Sequence, residues 1–278
     1  MSASVRTSAS ARAPRVRRAL VSFAVLAALY GVVAEIASPL LPRRIWITVH
    51  YVEGVELIPT YASLAEEAVF LVRAGLLQGG VAVSGARVLA GLLLGSLVGI
   101  PLGLAMGWAA RFGALMEPWV GLFRFTPALA LLPLYVLWFG TGEAPKILLI
   151  ATGVAVVTLQ GAFEGVRGLP RVYLDAAAAL GAPSPMLLGR VLVPAALPHI
   201  VASLRIAVAL AWVTIVVAEL IRPTMPSLGY LLALSGAYPR VPAILIALGA
   251  IGLLVLASDL LAVAAYHRAT GWMRRRGA

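Results

Sequence analysis

The sequence contains no cysteine and a single lysine among its 278 residues. Without cysteine, the chain cannot form disulfides, use a thiol nucleophile or bind a metal ion through sulfur. The one lysine, Lys146, follows Gly-Glu-Ala-Pro, so the Gly-x-x-x-x-Gly-Lys-Ser/Thr loop that binds ATP phosphates is missing. The three histidines are scattered and form no His-Glu-x-x-His helix. These absences leave an ATP-hydrolysing subunit, an intramembrane metalloprotease and a metal transporter poorly supported.

Charged side chains are also scarce. They make up 12% of the residues, whereas 62% are hydrophobic and the mean hydropathy is +0.98. A soluble protein of this length needs a charged surface, and a disordered one has low hydrophobicity. No segment alternates with a period of two, and the apolar runs exceed the ~10 residues of a membrane barrel strand. The composition predicts an all-α, polytopic membrane protein.

The excess of basic residues lies at the two ends of the chain. The net charge is +11, with five arginines in the first eighteen residues and four in the last eleven. Basic ends that flank apolar spans set the orientation of a membrane protein. We therefore interpret the basic ends as residues that orient the protein in the lipid bilayer, and we do not expect nucleic-acid binding.

Six segments are long and apolar enough to cross a membrane, which takes about 20 residues. If the N-terminus is cytoplasmic, the segments inside the cell hold thirteen basic residues and those outside hold six. This ratio predicts a multi-pass plasma-membrane protein with both termini cytoplasmic. Residues 1–16 are expected to be a disordered basic tail, and 17–278 the transmembrane domain. The predicted spans are about 17–40, 81–108, 118–139, 145–165, 195–220 and 241–265.

The segments between the spans are mostly short. Residues 109–117 and 140–144 are expected to be tight turns. The longer segment 41–80 is predicted to lie outside, and its second half reads as an amphipathic helix from Ser63 to Arg73, with Ser63 as the capping residue and Glu66 three residues later.

The second span carries a glycine every fourth residue. On a helix, this spacing places the glycines on one slowly drifting face that lets another helix approach closely. We favour a packing role over a pore-lining role for this stripe, which consists of Gly91, Gly95, Gly99, Gly103 and Gly107.

Charged side chains inside the spans are candidates for the translocation path because their burial in lipid is costly. Arg124 and Arg205 either attract an anion into the path or extend to the lipid headgroups. Glu219 adjoins Arg222, and a structural ion pair between them is favoured over contact with a transported solute. Trp212 lies deeper in its span and is a further candidate for the path.

The segment about 166–194, predicted to be cytoplasmic, has the most distinctive pattern. Asp175 lies near the start of a short helix, where a negative charge is favourable. The alanines 176–179 favour a helix and leave a face with little side-chain bulk. Gly181 is a natural helix stop, and prolines follow it. The pattern predicts a short, smooth helix that docks against a partner.

This segment resembles the "EAA" loop of the permease subunits of binding-protein-dependent ABC importers. That loop reads acid-Ala-Ala, three residues, Gly, nine residues, then Ile-x-Leu-Pro. The corresponding residues here are Asp175-Ala176-Ala177, Gly181 and Val191-Leu192-Val193-Pro194. Asp replaces Glu, and Val replaces both Ile and Leu.

The resemblance extends from about Ser63 to the C-terminus and points to the nitrate/sulfonate/taurine branch. Segments similar to that branch begin at Arg87, Pro101, Pro133, Lys146, Ala211 and Ser227. Where the branch often has Arg-Pro-Ile-Pro-Pro, this chain has Arg124-Phe-Thr-Pro127-Ala, a departure that bears on the identity of the solute. Pro127 is a further candidate for the translocation path. Segment 43–58 has no counterpart in the branch.

The resemblance implies a permease that forms a homodimer and receives its solute from an extracytoplasmic binding protein. Two cytoplasmic ATPase subunits would bind the ATP, which agrees with the missing ATP-binding loop. The resemblance thus implies a chain that is not an enzyme and has no metal or cofactor of its own. The solute would be nitrate, a sulfonate, taurine or a similar organic anion; a vitamin or a pyrimidine precursor is the alternative, and an ion-coupled secondary transporter or a membrane scaffold is less favoured. The implied ATPase-docking residues are Asp175, Ala176, Ala177, Leu180, Gly181, Met186, Leu187 and Pro194.

Overall fold

The structure is a computed structural model that describes residues 12–37, 39, 44–47, 50–53, 56–179, 181 and 183–269. Within these residues, it consists of helices and one small hairpin. The helices are α1 (Arg12–Ala37), α2 (Tyr61–Arg73), α3 (Leu76–Trp108), α4 (Ala110–Phe125), α5 (Leu132–Phe139), α6 (Glu143–Arg167), α7 (Arg171–Ala179), α8 (Ser184–Leu187), α9 (Val193–Ile221), α10 (Leu228–Ala237) and α11 (Val241–Ala269), and the strands are β1 (Arg44–Ile47) and β2 (His50–Glu53).

Five of the described helices are long and apolar enough to span a membrane: α1, α3, α6, α9 and α11. A sixth candidate span is the pair formed by α4 and the helical turn and helix that follow it, which meet at a bend of 90° and count as a crossing if they form one broken span. The all-α fold with about six spans is therefore confirmed. The prediction of a tight turn at 109–117 is wrong because α4 begins at Ala110 and takes up the first half of the third span.

The described residues divide into two compact units. The first combines the chain up to Ala74 with Leu234–Ile246. In it, Tyr30 donates a hydrogen bond to the carbonyl of Pro59, and the Tyr61 hydroxyl donates to the carbonyl of Ala27. Arg240 donates to Glu67 at 2.7 Å. These polar contacts fasten the N-terminal helix and α2 within this unit.

Two predictions about the first unit need correction. The hairpin β1–β2 pairs Arg44 with Glu53 and Ile47 with His50, in the segment 43–58 for which no strand was expected. Four-residue strands are too short to show an alternating pattern in the sequence. The helix α2 begins at Tyr61, and its cap is Thr60, whose side chain accepts from the backbone N–H of Ser63. Ser63 is therefore inside the helix. The predicted tail lies mostly outside the described residues, although 12–16 belong to α1.

The second unit contains Gly75–Ala233 and the chain from Ala247 onward. Its core lies between α3, α6 and α9, where apolar side chains from all three helices are buried. The five-glycine stripe of α3 faces α6, and a Cβ atom added at any of the five would come closer than 3.0 Å to an atom of α6. The backbones of α3 and α6 thus approach each other as the small-residue spacing predicts.

Candidate functional site

The predicted docking segment forms two short helices joined at a glycine. Helix α7 ends at Ala179, and Gly181 has a φ of 72°, a conformation that residues with a Cβ rarely adopt. Helix α8 then leads through a π-helical turn, 188–192, directly into α9. Pro194 is the second residue of α9 and lacks an N–H, so it interrupts the helical hydrogen bonding where the π-helical turn passes into α9. The turn at Gly181 therefore sets the angle between α7 and a segment that is continuous with a membrane span.

The two halves of this segment differ in burial. Asp175, Ala176 and Met186 are exposed, whereas Leu187 is buried. Leu192 is also buried, in an apolar cluster with residues of α6 and α9. The second half is thus anchored in the bundle while α7 presents a small, open surface. Leu180 lies outside the described residues.

Arg124 lies between two cavities on the α4–α6 side of the second unit. One, of about 370 Å³, is also lined by Glu117, Glu164 and Arg167. The other, of about 260 Å³, is lined by Arg124 together with Thr126, Pro127 and Thr152. Gln160 of α6 lines both cavities. The bend between α4 and α5 therefore brings two of the predicted path residues, Arg124 and Pro127, to the second cavity. We call this cavity the polar groove after the side chains of Arg124, Thr126, Thr152 and Gln160, although the rest of its lining is mostly apolar.

Sequence analysis missed the uncharged polar members of this groove. They are Thr126, Thr152 and Gln160. The Thr152 hydroxyl donates to the carbonyl of Leu148 and lies 2.6 Å from the hydroxyl of Tyr135, which is outside the lining of the groove. Gln160 is the one amide side chain in the predicted span 145–165. A search based on gaps between charges overlooks such residues, although an amide within a span is itself a sign of a polar face.

The other three candidates for the path are placed differently. Arg205 forms a bidentate ion pair with Asp259 of α11, at 2.8 and 2.9 Å. Trp212 is 3% exposed and donates its indole N–H to Ser258. Glu219 is 0% exposed. None of these three lines the cavities beside Arg124. Their side chains therefore link helices to one another in this structure.

The partner predicted for Glu219 is wrong: it pairs with Arg87 and not with Arg222. Arg87 of α3 donates from its Nη1 to Glu219 at 2.6 Å, and from its Nε and Nη2 to the two carboxylate oxygens of Glu143, each at 2.5 Å. Its Nη2 also donates to the Thr224 hydroxyl at 3.1 Å. One guanidinium thus joins α3, the start of α6, the end of α9 and the loop after it.

We call Arg87, Lys146, Glu143 and Glu219 the buried ion cluster, which further hydrogen bonds complete. The Ser84 hydroxyl lies 2.9–3.0 Å from both oxygens of Glu219, and the backbone N–H of Gly229 donates to the same carboxylate at 3.0 Å. Lys146, which is 1% exposed, donates to Thr224 at 2.5 Å. Buried charges are tolerated when they are paired and hydrogen-bonded in this way. In the sequence, Arg87 is the one charged residue between Arg73 and Arg111. An isolated charge within an apolar span indicates an ion-pair partner from another helix.

No group of three or more His, Cys, Asp or Glu side chains within the described ranges is arranged to hold a metal ion. The arrangement in these ranges provides a polar groove, ion pairs between spans and an exposed short helix. These features suit the passage of a solute and contact with a partner.

Comparison with known proteins agrees with this geometry. Residues 93–274 match the family described as the binding-protein-dependent transport system inner membrane component. The chain is 38% identical over 222 residues to a probable ABC transporter permease protein of Brucella abortus, covering 80% of this chain and 88% of the relative. It is 36% identical over 192 residues to the taurine transport system permease protein TauC of Escherichia coli, covering 69% and 70%.

A solved structure has the same fold. It is the MetNI methionine ABC transporter in inward-facing conformations, with a TM-score of 0.63, 21% identity, and coverage of 70% of this chain and 96% of the solved one. At this identity, the likeness concerns the fold alone. The match across residues 93–274 and the relatives above establish the family. The chain belongs to the inner membrane components of binding-protein-dependent transport systems, and it is a transport subunit of the plasma membrane.

Proposed function

We propose that this subunit carries a small sulfonate, such as taurine, or a related organic anion. The observation that carries the proposal is the similarity to TauC over 69% of the chain, together with an arginine in the polar groove. Arg124 offers a fixed positive charge there, and Thr126, Thr152 and Gln160 offer hydrogen bonds. A sulfonate group has three oxygen atoms that accept hydrogen bonds. These side chains can therefore bind it in turn as the solute moves along the groove.

The exposed face of α7 is the proposed contact with the ATPase. The family implies a separate ATPase and a binding protein as partners. Ala176 and Ala177 leave this face without bulk, and Gly181 holds it at a fixed angle to the segment that enters α9. A force applied to α7 would therefore reach a membrane span through a short, continuous path.

A second copy of the chain is the proposed partner within the membrane. The groove beside Arg124 is formed by α4, the helical turn 128–131 and α6, with Leu210 of α9, and Arg124 itself is exposed. Contact between lipid and a charged side chain within a span is unfavourable in free energy. A homodimer would cover this region and enclose the groove between the two copies.

The proposed orientation places both termini, and the α7 segment, in the cytoplasm. The cysteine-free chain allows a direct test with single cysteines at Ser8 and Ser227. Ser227 is buried, so its neighbour Pro226, which is exposed, provides a second labelling position. We expect an impermeant thiol reagent to label the Pro226→Cys protein, and not the Ser8→Cys protein, in intact cells. Labelling of both positions from outside would contradict this orientation.

The substrate class can be tested by uptake of radiolabelled taurine in cells that express the complete transporter. We expect methanesulfonate to compete and the vitamin thiamine not to compete. Arg124→Gln should lower uptake by up to about fivefold, because an exposed charge contact is worth up to ~1 kcal/mol. Arg111→Gln, which changes another exposed arginine of α4, should leave uptake unchanged. Competition by thiamine but not by methanesulfonate would refute the sulfonate assignment.

A further inference from the structure

We propose that Arg87 and Lys146 form a binding site for a small oxyanion, a carboxylate or a sulfonate, and that Glu143 occupies this site in the present structure. The biological role of this site rests on the proposed function, the transport of an anion. That the site binds an anion is inferred from the geometry of the buried ion cluster alone.

The two carboxylates of the cluster are held very differently. Glu219 has a side chain that is 0% exposed and receives hydrogen bonds from Arg87, Ser84 and Gly229. A methyl group added at Gly229 would overlap its side chain, so the loop closes tightly over it. Glu143 has a side chain that is 57% exposed at the start of α6 and is bound by Arg87. The Glu143 side chain therefore has direct access to water, whereas that of Glu219 does not.

Departure of Glu143 would leave the cluster with an unbalanced charge. Arg87 is 2% exposed and Lys146 is 1% exposed, and both donate to the hydroxyl of Thr224, at 3.1 and 2.5 Å. The two cations are balanced by two carboxylates in the structure. Without Glu143, the buried groups carry one positive charge more than they have negative charge. An uncompensated buried charge is unfavourable, which favours the entry of another anion.

The vacated position has the geometry that an oxyanion requires. The Nε and Nη2 groups of Arg87 bind the two oxygens of Glu143 at 2.5 Å each, in the two-pronged arrangement that suits carboxylates and other planar pairs of oxygens. Thr224 accepts hydrogen bonds from both cations, so its own proton is free for donation to an incoming oxygen. The start of the 25-residue helix α6 adds a favourable dipole. A carboxylate or sulfonate would thus replace Glu143 with the same contacts.

The test uses the full-length protein purified in detergent and methanesulfonate as the probe, with binding measured by calorimetry. Glu143→Ala should bind methanesulfonate at least about tenfold more tightly than the wild type, because the internal competitor is removed. Glu66→Ala, which removes another exposed glutamate, should bind as the wild type does. Methanesulfonate should also raise the Tm of Glu143→Ala, and tetramethylammonium, a cation of similar size, should not.

Two further variants show whether the cations form the site. In the Glu143→Ala background, Lys146→Met or Thr224→Val should abolish the tight binding; Thr224→Val, which keeps the charges, serves if Lys146→Met fails to fold. If Glu143→Ala binds no more tightly than Glu66→Ala, the ion cluster is a fixed structural link and the proposal is wrong. Such a result with taurine uptake intact would leave the transport assignment standing. Tight binding in a protein that carries no sulfonate would instead refute the transport assignment.

Discussion

Gly99→Leu is expected to prevent stable packing of α3 against α6 and to reduce the amount of folded protein in the membrane severely. A Cβ atom at Gly99 would lie 2.9 Å from the Cα atom of Ala155, and the leucine branch would extend further into that helix. A backbone cannot move aside as a flexible side chain can. Overpacking of this kind typically costs about 1–3 kcal/mol, and rigid backbone contact places this site at or above the upper end. Membrane abundance and thermal unfolding in detergent measure the effect.

Gly85→Leu is the matched control because it lies on the same helix and has open space at the position of its Cβ atom. We expect this variant to reach wild-type abundance. Equal abundance and activity of Gly99→Leu and Gly85→Leu would mean that α3 and α6 do not pack through the glycine stripe.

Gly181→Val and Ala177→Arg are expected to abolish uptake without loss of protein from the membrane. Valine at Gly181 must adopt a φ of 72°, which a β-branched residue strongly resists, so the angle between α7 and α8 changes. Arginine at Ala177 places a long, charged chain on the face proposed to contact the ATPase. Coupling between subunits of ~1–3 kcal/mol corresponds to at least about fivefold in binding. Both variants should release the ATPase during purification in detergent, as measured by co-purification with the tagged permease.

Two controls separate coupling from folding in this experiment. Gly252→Val introduces the same side chain into α11, where there is open space and no positive φ, and should retain uptake. Ala177→Ser keeps the face small and should retain the ATPase. If Gly181→Val or Ala177→Arg kept both the ATPase and transport, α7 would not be the coupling element.

The spans could be predicted because membrane helices are long and nearly free of charge. The glycine stripe could be predicted for a similar reason, since a residue repeated every fourth position marks one helix face regardless of its partner. The bend between α4 and α5 could not, because Arg124-Phe-Thr-Pro127 looks like part of a single apolar span. The direction of the chain changes there by 90°, and that change opens the polar groove.

The ion pairs show where local sequence is a poor guide. Glu219 lies three residues from Arg222, yet its partner Arg87 is 132 residues away in the chain. The neighbouring arginine is exposed, whereas Arg87 is already buried in α3 and needs a carboxylate. Arg205 and Asp259 are likewise joined only by the packing of α9 and α11. Arg124, Arg205 and Glu219 could be recognised from the sequence as important, whereas Arg87 was not among the candidates. The partners of these charges depend on helix packing, which cannot be read from the local pattern of residues.

Uptake into proteoliposomes is the most direct test of the claim that this chain is a membrane subunit driven by a separate ATPase. The permease, its ATPase and its binding protein would be reconstituted together and supplied with labelled taurine. We predict that uptake requires ATP on the side of the ATPase, persists when an ionophore abolishes the proton gradient, and stops when the ATPase is omitted. Uptake that follows the proton gradient and continues without the ATPase would contradict the account.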